Sequence, residues 1–212
     1  MKPFLARRTI VALVGVATGL GTSVASAHVG AGLHEHAGDA LSSFAAGATH
    51  PLTGLDHLAA MLSVGVWSAV AGGSPSPGRL LAAPLAFATM LLVGALLALN
   101  GLSVLGIEPM IAASLLVMGL LVMARLSIPP MASAGLVGGF ALFHGLAHGQ
   151  ELAGHATAAL AGMVLTTLAL HAAGIAAGLA LRQRQAWLPR LAGGGVALFG
   201  LSLLAPAVAG VL

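Results

Sequence analysis

The chain has 212 residues, of which 58% are hydrophobic and only 6% charged, with a mean hydropathy of +1.04 and a formal charge of +3. A soluble domain carries about 25% charged residues, so a water-facing globular fold is excluded. The lack of any Cys excludes disulfides and thiolate metal ligands.

At the start, Lys2, Arg7 and Arg8 precede an apolar stretch over residues 10–24 and the small-x-small run Ala25-Ser26-Ala27. This pattern predicts a signal peptide over residues 1–27, cut after Ala27; the other reading is an uncleaved first helix. Removing the leader takes three basic residues and brings the formal charge to zero, so the basic balance says nothing about nucleic acid, and no nucleic-acid partner is expected. Residues 28–49 follow as an extracytoplasmic segment containing His28, His34 and His36. They read equally as a metal-collecting tract and as a solvated tail.

Residues 50–212 then read as an all-α transmembrane bundle of about six helices, the continuous apolar runs fitting helices rather than a barrel's alternation. The spans are expected at 51–70, 81–99, 109–124, 131–149, 155–181 and 191–208, most near the roughly 20 residues that cross about 30 Å of hydrocarbon. Pro51 suits a first helical position. The run from Ala71 to Gly78, with three Gly and two Pro, marks a turn, as do Asn100-Gly101 and Pro129-Pro130. Thirty glycines let such helices pack closely. With the mature N-terminus outside and the spans alternating, Arg79, Arg125, Arg182, Arg184 and Arg190 all fall on the cytoplasmic side, as the positive-inside rule requires.

Against this apolar background stand two polar runs, His50-Pro51-Leu52-Thr53-Gly54-Leu55-Asp56-His57 and Phe143-His144-Gly145-Leu146-Ala147-His148-Gly149-Gln150-Glu151. Ionisable groups inside membrane spans are costly, and such positions mark binding or conduction. His50, Gly54 and His57 are expected on one helical face, with Gly54 clearing space between the imidazoles. Asp56 either ligates directly or orients a neighbouring histidine. His144 and His148 stand at i, i+4, with Glu151 continuing their face if the helix passes Gly149, and Gly145 reducing bulk between the rings. Both motifs are expected toward the outer ends of their spans, at one membrane depth. Imidazole with carboxylate suits a divalent transition metal. Glu108, at the start of the third span, reads as an interfacial group or as a member of the cluster. His171, deeper in the fifth, reads as a second ion station or as a helix contact. His155 is a weaker candidate, and Met90, Met118, Met123 and Met163 read as packing residues.

These runs, together with the leader, Glu108, His171 and the hydrophobic layout, resemble the HupE/UreJ family of nickel and cobalt permeases over nearly the whole chain. The resemblance implies a permease domain over residues 50–212 in a bacterial inner membrane, taking up Ni²⁺ or Co²⁺ as transported substrate rather than as cofactor. It implies that His50, Asp56, His57, His144, His148 and Glu151 form the transport site; His28, His34, His36, Glu108 and His171 stay accessory candidates on the reading of the residues themselves. The partners expected are the metal ion, the bilayer and either a second copy of the chain or metallocentre-assembly proteins. No Walker motif is present, so movement would draw on a gradient, the membrane potential or a partner. No enzymatic activity is expected. A membrane metal sensor or assembly subunit is the alternative, and an intramembrane hydrolase a more distant one, since His34-Glu35-His36 lacks the His-Glu-x-x-His spacing.

Overall fold

The computed structural model describes residues 39–152, 154–184 and 187–209, so the leader, its expected cut and His28, His34 and His36 lie outside the described residues. Among the described residues there are seven helices: α1 (Ala40–Thr53), α2 (Leu55–Val70), α3 (Pro77–Leu99), α4 (Ile107–Ala124), α5 (Pro130–Glu151), α6 (Ala156–Arg182) and α7 (Trp187–Ala209). Five of them, α3 to α7, are long and apolar enough to cross a bilayer, while α2 is a shorter apolar helix. The protein is therefore a multi-pass membrane protein.

The expected first span at 51–70 is corrected. Helix begins at Ala40, capped by Asp39, whose carboxylate accepts the Ser42 backbone N–H at 2.8 Å. That hydrogen bond holds the Asp39 carboxyl below its usual range. Pro51 does not open a helix but lies buried inside α1, where it has no N–H to donate to the preceding turn. Three residues on, Gly54 adopts an extended conformation, and the chain restarts as α2. Pro and Gly thus break one hydrophobic run into two helices, a change that hydropathy alone does not register.

Helix directions follow from glycine contacts. A Cβ on Gly145 would overlap the Leu91 carbonyl, and one on Gly149 the Ala95 carbonyl, so α3 and α5 run parallel with backbones touching. Gly47 abuts Ala159 in the same way, while Gly65 and Gly178 seat α2 against His171 and Val66 against α6, and both α1 and α2 run parallel to α6. Gly119, Gly193 and Gly200 join α4 to α7 in antiparallel fashion. Bilayer helices gain nothing from meeting through lipid-like faces, so close backbone approach supplies the dispersion contact that holds them. The core sits where α2, α3, α4 and α6 meet, around Met61, Trp67, Phe87, Leu91, Met118 and Met163.

The two ends of the bundle differ in charge. At one end three arginines converge on the C-terminus of α2. Arg182 donates to the carbonyls of Ala69, Ala71 and Gly73, Arg125 to Val70 and Arg79 to Gly72. Cationic donors there satisfy the helix's last carbonyls and oppose the negative end of its dipole. Arg184 and Arg190 flank the same end by connectivity. The histidine motifs lie toward the other end.

Candidate metal site

The break at Gly54 places His50 on one helix and Asp56 and His57 on the next, so the expected continuous face does not exist. The rings meet nonetheless, with His50 and His57 centroids 5.8 Å apart. Gly54 is tightly placed between them. A Cβ there would stand 3.0 Å from His57 Nδ1 and 3.1 Å from Asp56 Oδ1. In contrast, α5 continues through Gly149 to Glu151, so His144, His148 and Glu151 do share one helix. Gly145 does not separate the histidines; it faces the backbone of α3.

Two of the cluster's imidazoles have one ring nitrogen committed. His57 donates from Nδ1 to Asp56 Oδ1 at 2.9 Å, and the same oxygen accepts the His57 backbone N–H. Asp56 is thereby placed to orient His57, and its negative charge sits favourably in the first turn of α2. Ser114 gives its hydroxyl proton to the Ile111 carbonyl at 2.6 Å, leaving Oγ to accept from His144 Nε2 at 3.0 Å. In the neutral form of each ring, that bond leaves the lone pair on the other nitrogen. Those nitrogens, His57 Nε2 and His144 Nδ1, are buried without a hydrogen-bond partner, as is His148 Nε2. Buried polar atoms without partners are few in folded proteins, and three in one cluster form a set of inward-facing donors for an electrophile.

The rings form a descending series. His50 lies 4.7 Å from His148, His148 lies 4.4 Å from His57, and His57 lies 5.3 Å from His144, between ring centroids. At the exposed top, ligand atoms of His50, His148 and Glu151 all lie within 4.8 Å of one another. His50 and Glu151 side chains there are 42% and 52% exposed, against 0% and 2% for residues His144 and His148. Counting 1.5 Å per helical residue from the arginine end, Glu151 stands at about 32 Å, His148 at about 27 Å, His144 at about 21 Å and His57 at about 20 Å. The two motifs therefore share a depth. Asp56 and Glu151 bring two carboxylates to this set, matching the charge of a dication.

Of the accessory positions, His171 is buried on α6 below the cluster, and the Phe87 ring packs against both it and His144, the centroids at 5.0 and 5.4 Å. Glu108 is exposed in the first turn of α4, outside the His50, His148 and Glu151 group. His155 caps the start of α6, exposed, with its backbone N–H donating to Ser43 Oγ. Met118 and Met163 are packed in the core. Sequence reading missed Ser114, a single hydroxyl in an apolar helix whose partner lies thirty residues away; no local pattern marks it. An apolar cleft of about 450 Å³ between α2, α4 and α7 is lined by groups such as Leu58, Leu62, Val122 and Phe199 and does not touch the histidines.

The sequence profile of the family described as HupE / UreJ protein matches residues 14–203. Protein HupE of Rhizobium leguminosarum bv. viciae is 39% identical over 185 residues, covering 86% of this chain and 91% of that protein. No solved structure matches the chain significantly.

Proposed function

This chain belongs to the HupE/UreJ family, a family of permeases and accessory proteins rather than enzymes, and on that premise we propose that it is a secondary permease for inward movement of Ni²⁺ or Co²⁺. The observation that carries the reading is the stack of buried imidazoles with orphaned ring nitrogens, opening at a mouth where half-buried His50 and exposed Glu151 meet buried His148. A hydrated dication exchanges water for imidazole and carboxylate at the mouth and then passes to His57 and His144. Mixed nitrogen and oxygen ligation binds without the grip of thiolates, and a conducting site must also release its ion.

In the same proposal residues 1–27 are a cleaved leader, residues 28–49 begin outside, and the arginine end faces the cytoplasm of a bacterial inner membrane. That orientation follows the positive-inside rule. It also lets an inside-negative potential assist the ion by about 2.3 kcal/mol per elementary charge per 100 mV. A second copy of the chain or a metallocentre-assembly protein is the protein partner in this proposal.

Reconstitution of the purified chain in metal-tight liposomes tests this. Wild type is expected to take up Ni²⁺ or Co²⁺ saturably, and His57→Ala and His148→Ala to lose that uptake at equal protein content. Metal binding without translocation would favour a sensor or assembly subunit, and uptake unaltered in both variants would remove the assigned site.

A further inference from the structure

Below the cluster, α6 carries two polar side chains that neither its packing nor the site above employs. His171 donates from Nδ1 to the Thr167 carbonyl at 2.6 Å, which leaves the lone pair on Nε2. Nε2 is buried without a partner, and so is the Thr167 hydroxyl oxygen one turn earlier on the same face. His171 is 2% exposed and Thr167 0%. A residue that merely tied helices together would spend Nε2 on a neighbouring helix. Among the described residues the ring's one hydrogen bond runs back to its own helix, and Nε2 has no partner. Leaving such groups unsatisfied is costly and rare in folded proteins, so their presence together points to a ligand.

Their position is equally specific. His171 stands about 16 Å from the arginine end and Phe87 about 15 Å, below His57 and His144 at about 20 Å and near the middle of a 30 Å hydrocarbon layer. The Phe87 ring packs against both His144 and His171, with centroids at 5.4 and 5.0 Å, so one phenyl links the outer cluster to the inner imidazole.

We propose that His171 Nε2 and Thr167 Oγ1 form an inner transit site, separate from the outer cluster, which receives a partly hydrated divalent transition-metal ion after it leaves His144. This rests on the outer cluster being the first cation site. Thr167 supplies an oxygen to the ion or to one of its waters, and a single imidazole keeps the hold weak enough for onward release. Two successive sites let an arriving ion displace the one ahead.

The experiment compares wild type, Thr167→Val, His171→Phe and His57→Ala, each as full chain. Co²⁺ binding is followed in detergent by its visible absorption, and Co²⁺ uptake is followed in liposomes. Thr167→Val keeps shape while deleting the orphaned hydroxyl, so it is expected to melt no lower than wild type. Both inner variants are expected to keep the absorption and midpoint of outer-site binding while the initial uptake rate falls by at least about tenfold. His57→Ala is expected to lose the binding itself. Wild-type uptake in Thr167→Val and His171→Phe overturns the inner site, and so does loss of outer-site binding in both, because the pair would then act through packing. If His171→Phe fails to fold, Thr167→Val decides alone. Unaltered binding and uptake in His57→Ala would instead remove the outer-site reading, an outcome separate from either inner-site result.

Discussion

Asp56 Oδ1 accepts two hydrogen bonds from its own neighbour, His57, one from the backbone N–H and one from ring Nδ1, both at 2.9 Å. One carboxylate oxygen thereby finishes the first turn of α2 and fixes which nitrogen of the imidazole faces the cluster. Asp56→Asn keeps the shape but removes the charge and weakens the acceptor. Loss of such an orienting partner lowers metal affinity by about 10–100-fold. A Co²⁺ titration of the purified variant checks this, and an unchanged midpoint would show that the carboxylate does not act through His57.

Ser114 has the corresponding role for His144, across a helix interface. In Ser114→Ala, His144 Nε2–H would be buried without an acceptor, at a cost of about 1–3 kcal/mol, and the ring proton would be free to shift to Nδ1. Thermal unfolding is expected to move to lower temperature and the concentration for half-maximal uptake to rise. Restoration of both by Ser114→Thr, which keeps the hydroxyl, would assign the effect to the hydrogen bond.

Helix contact through Gly145 makes a separate claim about stability. A Cβ there would overlap the Leu91 carbonyl, whereas one on Gly139 in the same helix meets nothing within 4 Å. Gly145→Ala is therefore expected to destabilise the protein by about 1–3 kcal/mol through overpacking, and Gly139→Ala to leave it unchanged or slightly more stable. Differential scanning of the two variants in one detergent compares them directly.

Arg182 reaches three carbonyls at the end of α2, those of Ala69, Ala71 and Gly73. Arg182→Gln keeps a polar head but neither the charge nor the fork of donors, with an expected loss of about 1–2 kcal/mol. Because α2 carries His57 at its far end, the variant is also expected to release metal more readily. A destabilised protein with wild-type Co²⁺ affinity would confine the arginine's role to the cap.

Orientation is accessible because the chain contains no Cys, so single cysteines report cleanly. Ser103 is exposed between α3 and α4 at the histidine end, and Ser74 is exposed between α2 and α3 at the arginine end. A membrane-impermeant maleimide added to intact spheroplasts is expected to label Ser103→Cys and spare Ser74→Cys. The reverse pattern would turn the proposed transport direction around.

Composition alone determined the class of this protein: with so few charges and so many small residues, the backbone must satisfy itself in helices that pack by close approach. Spacing also placed His144, His148 and Glu151 on one face, because a single unbroken helix carries all three, and the distribution of arginines separated the two ends. The first motif behaved differently. Hydropathy averages over a window and passes through Pro51 and Gly54 without a signal, so the broken α1–α2 span emerged only in three dimensions. Tertiary structure likewise decided that Asp56 hydrogen-bonds the His57 ring, that Gly145 serves helix contact, and that Ser114 and Phe87 touch the histidines. Each of those facts depends on which atoms meet across helices distant in sequence, and a hydrogen bond's partner is set by that approach rather than by the residues beside it in the chain.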